Sequence, residues 1–200
     1  MHIHGDRRSG NCYKIQLAAD LLSLPYTWHG VDILGGETRS EAFLALNPAG
    51  EIPLVVFDDG NTLSESNAIL NCLAAGTAYE PDTAFTRAKV LQWQFWEQYN
   101  HEPRIAVARF IKLYQGLPPE RQAEFDALQA PGHRALALMD RQLRKTPWLT
   151  GDTLTMADIS LYAYTHVAGD GGFDLSVYGG ICDWLARIES TPGYTPMQAG

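Results

Sequence analysis

Residues 6–12, DRRSGNC, place a hydroxyl and a thiol three positions apart, where an apolar helical pattern begins. A serine at a helix start can donate a proton to an anion held nearby. A cysteine there acts as a thiolate, which a helix N-terminus favours and apolar burial suppresses. Ser9 at the helix start and Cys12 within its first turn both stand as candidates at this point. A second pair, Glu65 and Ser66, precedes the apolar run NAILNCLAAG. Two readings stay open for Ser66. It is a plain helix cap, or it joins the N–H groups of the helix start to bind a carboxylate while Glu65 binds an ammonium. The second reading suits an α-amino acid head group. Pro53 opens a strand, and a cis Ile52–Pro53 bond, a minority form, would leave the backbone of Ile52 able to pair with an extended ligand. His2 and His4 share a strand face but have no further ligands nearby in sequence, so they read as ordinary strand positions and no metal is expected. In LTMADI, Thr155 and Asp158 form a variant capping box with Leu154 and Ile159 at the staple positions, a structural feature.

These residues need elements to hold them. MHIHG reads as a short strand, residues 11–22 as a helix stopped by Pro25, and YTWHGVDI as a second strand. SEAFLAL is a short helix capped by Ser40. LVVF, the turn DDGN and TLS form a hairpin, and the helix after Glu65 stops at Gly76. A helical crossover makes the first two strands parallel, and the hairpin adds antiparallel pairs. Beyond residue 84 strand signals vanish. Helix is expected on both sides of Pro103 with a kink or break there, then from about Pro119 to Lys145 with an interruption at APG, then over TMADISLYAYTHVA and GGICDWLARIES. The reading is an α/β domain over residues 1–76, a linker over 77–84 and an all-helical domain over 85–200.

Composition bounds the function. Of 200 residues, 46% are hydrophobic, enough for a packed core, and the net charge of −8 lacks the basic footprint that nucleic acid requires. No apolar run approaches the ~20 residues that span a bilayer, and the start of the chain lacks a signal-peptide pattern. Three dispersed cysteines form no CxxC pair. A soluble protein of a reducing compartment, the cytoplasm, is expected.

Three segments in order, SGNCYKIQLAADLL, NPAGEIPLV and SESNAI, followed by a helical half with LTMAD, resemble the cytosolic glutathione transferases, especially theta- and zeta-like bacterial members. The resemblance covers nearly the whole chain. It implies a thioredoxin-like α/β domain joined to an all-α domain (the glutathione transferase fold), and a homodimer. Glutathione is the implied co-substrate and a small-molecule electrophile the second substrate. Carried onto this sequence, it implies a cis Pro53, Ile52 pairing with the cysteinyl backbone of glutathione, Glu65 and Ser66 on the γ-glutamyl group, and Ser9 donating to the sulfur. Asn11 is an alternative donor, at a place near the reactive cysteine of beta- and omega-like members. Many members carry a basic or amide residue before the Ile-Pro or Val-Pro pair; here it is Glu51, a like charge, so either Glu51 turns to solvent and another cation, with Arg39 a candidate, takes the glycine carboxylate, or affinity is low. Trp93 and Trp96 read as core, and Tyr99 and Arg104 as second-substrate pocket. The expected reaction is conjugation. The alternatives are a glutathione-dependent isomerase of the maleylacetoacetate type and a non-catalytic binding or scaffold protein on the same fold.

Overall fold

The computed structural model describes residues 1–198 and divides into two compact units. The first holds a four-stranded sheet, β1 (His2–Gly5), β2 (Thr27–Gly30), β3 (Leu54–Val56) and β4 (Thr62–Ser64), in the order β2-β1-β3-β4. The helix α1 (Gly10–Leu21) makes the crossover that leaves β1 and β2 parallel, and β3 is antiparallel to both of its neighbours. Each helix start has a local cause. Ser9 is extended (φ −77°, ψ 124°) and accepts from the Cys12 N–H, and Ser40 accepts from the Phe43 N–H to open α2 (Glu41–Leu46). The hairpin turns at Gly60 with φ +85°, and α3 (Ser66–Ala74) is followed by Gly76 at φ +73°.

Helix α1 is buried on nearly all sides, from Cys12 to Ala19. Ile3, Ile15, Val55, Ile69 and Leu70 belong to the core of this unit. Val31, Phe43 and Leu54 form a cluster against which Ile33 and Ile52 pack, tying the segment before β3 to α2.

The second unit, Tyr79–Ser190, is helical. Of the kink or break expected at Pro103, no break occurs, and the helical path is instead altered just ahead of it. Helix α4 (Ala84–Trp96) runs through a π-helical turn, Glu97–His101, into α5 (Glu102–Arg109). Pro103 stands in the first turn of α5, where its missing N–H is best tolerated, and the wider turn just ahead absorbs the mismatch. The expected interruption at APG is also absent: α6 (Gln122–Leu143) continues through Pro131. Gly132 explains the constraint there, because a Cβ would lie 2.4 Å from Cε1 of Phe173. Tight packing on Phe173 holds the helix where the proline removes one backbone hydrogen bond. Helices α7 (Met156–Thr165) and α8 (Gly179–Glu189) complete the unit.

The sequence assigned residues 85–200 to the helical part. The chain from Thr191 onward instead joins the first unit, with residues 199–200 outside the described residues. The Tyr13 hydroxyl donates to the Thr195 carbonyl (2.8 Å), and Gly193 (φ +87°) lies close against Asp20 and Leu21. Among the described residues no helix is long and apolar enough to cross a membrane.

Candidate active site

Strand register gathers the candidate residues. His4 pairs with Leu54 in the antiparallel β1–β3 ladder, so the residues leaving β1 and those entering β3 lie at one end of the sheet. Leu54 pairs with Ser64, so the chain leaving β4 emerges there too. Residues 6–11, 51–53 and 65–66 therefore converge, although up to 60 positions separate them. A side-chain bond closes the gap directly: the Ser66 hydroxyl donates to Oδ1 of Asn11 (3.2 Å).

The loop after β1 is held from within. Asp6 accepts from the Arg8 N–H (2.8 Å) and pairs with its guanidinium (3.0 Å), and the Ser9 N–H donates to the Asp6 carbonyl (3.0 Å). Arg7 stacks on Trp28 at 4.4 Å. Ser9 is half-buried and its Oγ accepts from the Cys12 N–H at 3.4 Å. A hydroxyl that accepts in this way keeps its own proton for donation. Cys12 is fully buried, and burial pushes its thiol up to about 12. At neutral pH it stays protonated and inert, so the rival nucleophile is removed.

The Ile52–Pro53 bond is cis. Asn47, buried, fastens the loop ahead of it: its amide donates to the Glu51 carbonyl (2.7 Å) and its Oδ1 accepts from the Ala49 N–H (3.2 Å). Glu51 points to solvent. Arg39 donates to the Ala49 carbonyl (3.2 Å), and its guanidinium lies so close to Gly50 that a Cβ there would come within 2.6 Å. A cation thus lies beside the same loop as Glu51. Glu65 precedes α3 with φ +68° and an exposed side chain, while Ser66 is buried as the first helical residue.

Neither Lys14 nor Asn47 was among the site residues expected from sequence. A lysine in an amphipathic helix is ordinarily assigned to solvent, yet Lys14 is fully buried with its ammonium 3.3 Å from Ser66 Oγ. His29 also escaped notice. Its ring stacks on His4 (4.6 Å) and approaches His2 (2.9 Å between ring nitrogens), but among the described residues no group of three is arranged to hold a metal.

A cleft of about 500 Å³ in the first unit runs beside Arg7, Arg8, Trp28 and Ile33. In the second unit, a cavity of about 340 Å³ is lined by Trp93, Trp96, Leu138 and Leu149, and another of about 590 Å³ by Pro103, Val107, Phe110 and Tyr164. Trp93 and Trp96, read as core, form a cavity wall in edge-to-face contact at 5.4 Å. Tyr99 is 79% exposed and Arg104 half-buried, and neither lines these cavities.

Residues 8–75 match the glutathione S-transferase N-terminal domain, and residues 122–188 the glutathione S-transferase C-terminal domain. The chain is 30% identical to the disulfide-bond oxidoreductase YfcG of Escherichia coli, over 91% of this chain and 87% of that protein. It is 28% identical to the glutathione S-transferase GstB of the same organism, over 94% and 92%. The fold superposes on a glutathione S-transferase from Pseudomonas fluorescens with a TM-score of 0.97 at 57% identity, covering 99% and 98% of the two chains. The α/β unit followed by the helical unit is the glutathione transferase fold, and the chain belongs to the glutathione S-transferase family.

Proposed function

We propose that this protein binds glutathione where its three segments converge and adds the thiolate to an electrophilic small molecule. The observation that carries the reading is the convergence itself, closed by the Ser66–Asn11 hydrogen bond. The backbone of Ile52 pairs with the cysteinyl residue. The N-terminus of α3, with Ser66, takes the γ-glutamyl carboxylate, and Glu65 takes the ammonium. Arg39 takes the glycine carboxylate, which lets Glu51 remain in solvent.

Ser9 donates to the sulfur. A free thiol of pKa ~8.5 is only about 3% ionised at pH 7, and lowering it to ~6.5 takes about 2.7 kcal/mol. One hydrogen bond to a charged sulfur supplies about 1.5–3 kcal/mol, and the N-terminus of α1 adds about 0.3–1. Together they reach that value. A serine in this role fits a theta- or zeta-like member; the proposed setting is the cytoplasm and the proposed assembly a homodimer.

Calorimetry with glutathione and conjugation of a chlorodinitrobenzene test the reading. Ser9→Ala is expected to lower kcat/KM about 10- to 100-fold. Equal rates would remove Ser9 from the mechanism, and no binding heat at millimolar glutathione would favour a non-catalytic role.

The likeness to a disulfide-bond oxidoreductase supports a second reading of the same site. Since Cys12 is buried and protonated, the attacking thiolate would be that of bound glutathione. It would displace one thiolate from a small disulfide and leave a mixed disulfide. Glutathione consumption with hydroxyethyl disulfide, compared with the chloroarene, separates the two.

A further inference from the structure

Lys14 is a feature of this site that the mechanism above does not use. It lies in the second turn of α1, five residues beyond Ser9, and is entirely withdrawn from water. Burying an ammonium is costly unless anions and acceptors are supplied to it. Its Nζ lies 3.3 Å from Ser66 Oγ, and the Ser66 hydroxyl in turn lies 3.2 Å from Asn11 Oδ1. An ammonium has donors only. The lysine therefore makes Ser66 an acceptor on one side and turns the serine proton toward Asn11. That proton fixes which end of the Asn11 amide faces Ser66: the oxygen, with the NH2 group turned away from it.

Resting on the glutathione reading, we propose that Lys14 is a positioning residue for the tripeptide. It orients Ser66 and, through it, Asn11, and it supplies the buried positive charge that the anionic groups of glutathione meet. Charge and orientation act together, because the donor-only group that polarises the chain is also the cation beneath it. With the Ser66 proton committed to Asn11, the γ-glutamyl carboxylate is met by the N–H groups at the start of α3, with the Lys14 charge behind them. The reordering of side chains that binding would otherwise require is reduced accordingly.

The test uses the full chain and Lys14→Met, Ser66→Ala and the double variant. Glutathione affinity is read by calorimetry, KM and kcat with the chloroarene, and folding by thermal melting. Removing a full charge from a buried site weakens glutathione binding about 10- to 100-fold. KM for glutathione rises in step, while kcat at saturating glutathione changes less than about threefold. Melting is unchanged or higher, since replacing a buried charge by an apolar group of similar volume is often neutral or stabilising. The double variant is no weaker than the weaker single one, because the two residues act as one unit. Lys14→Gln, which keeps a donor without charge, serves if Lys14→Met does not fold, and it is expected to lie nearer to the Met variant than to wild type. Unchanged affinity in a folded Lys14 variant, or fully additive losses in the double variant, overturns the proposal alone. Absence of any glutathione binding by wild type overturns the glutathione reading and this proposal with it.

Discussion

Replacing Asp158 by alanine removes a side chain of the helical unit that accepts four hydrogen bonds. Its carboxylate is fully buried and accepts from the Leu149 N–H (2.9 Å), the Thr155 N–H (3.0 Å), the Thr155 hydroxyl (3.1 Å) and the Trp184 indole N–H (3.0 Å). The hydroxyl can rotate to another acceptor, but the two backbone donors and the indole cannot. Three stranded buried donors cost about 1–3 kcal/mol each, or about 6 in all. Against this stands the cost of keeping the carboxylate charged, since burial raises its pKa to about 6. The rise from the ordinary carboxylate range to about 6 corresponds to about 3 kcal/mol at pH 7. The net loss in Asp158→Ala is then about 3 kcal/mol at pH 7, a fall in Tm on the order of 10 °C for a chain of this size. The sign of the pH dependence follows from the same group. Its folded pKa lies above the unfolded one, so between about pH 4 and 6 the folded state binds more protons, and wild-type stability falls as pH rises through that window. The alanine variant lacks this slope. The gap between the two proteins should therefore widen as pH falls from 7, towards about 6 kcal/mol at pH 4. Urea unfolding followed by tryptophan fluorescence at several pH values measures it. A gap that narrows on acidification, or a loss below about 1 kcal/mol at pH 7, would refute this reasoning.

Two further outcomes are specific to this packing. An aromatic disulfide reagent at pH 8 should label Cys72 and Cys182, both exposed, in the native protein and reach Cys12 only after denaturation; rapid native labelling of Cys12 would contradict its burial. Gly132→Ala should cost about 1–3 kcal/mol because the added methyl lands on the Phe173 ring, and an unchanged urea midpoint would show that α6 is not pinned there.

Much of this architecture is legible locally. Ser9, Ser40 and Thr155 announce the helices they open, and the turn around Gly60 announces its hairpin. Strand order follows from one helical crossover and one tight turn. The features that escaped depend on partners remote in the chain. Pro131 reads as a helix breaker until Phe173 is seen packed on Gly132. The last described residues carry no helical pattern that would place them, and their contact with α1 is made through Tyr13, more than 180 positions away. At the site, residue types at a helix start and before a strand proline pointed to Ser9, Ile52, Glu65 and Ser66. The residues that orient this framework, Asn47 and Lys14, look like an ordinary loop amide and an ordinary surface cation until burial is known.

The most direct measurement is the thiol pKa of glutathione bound to wild type and to Ser9→Ala, read from thiolate ultraviolet absorbance across pH. The variant loses the 3.4 Å cap on the Cys12 N–H and a contact with the Cys12 thiol, a cost of about 1 kcal/mol that leaves the protein folded. Wild type should hold the sulfur near pKa ~6.5, and the variant should return it to within about one unit of the free value near 8.5. Identical titration curves for the two proteins would contradict the claim that the Ser9 hydroxyl makes the thiolate.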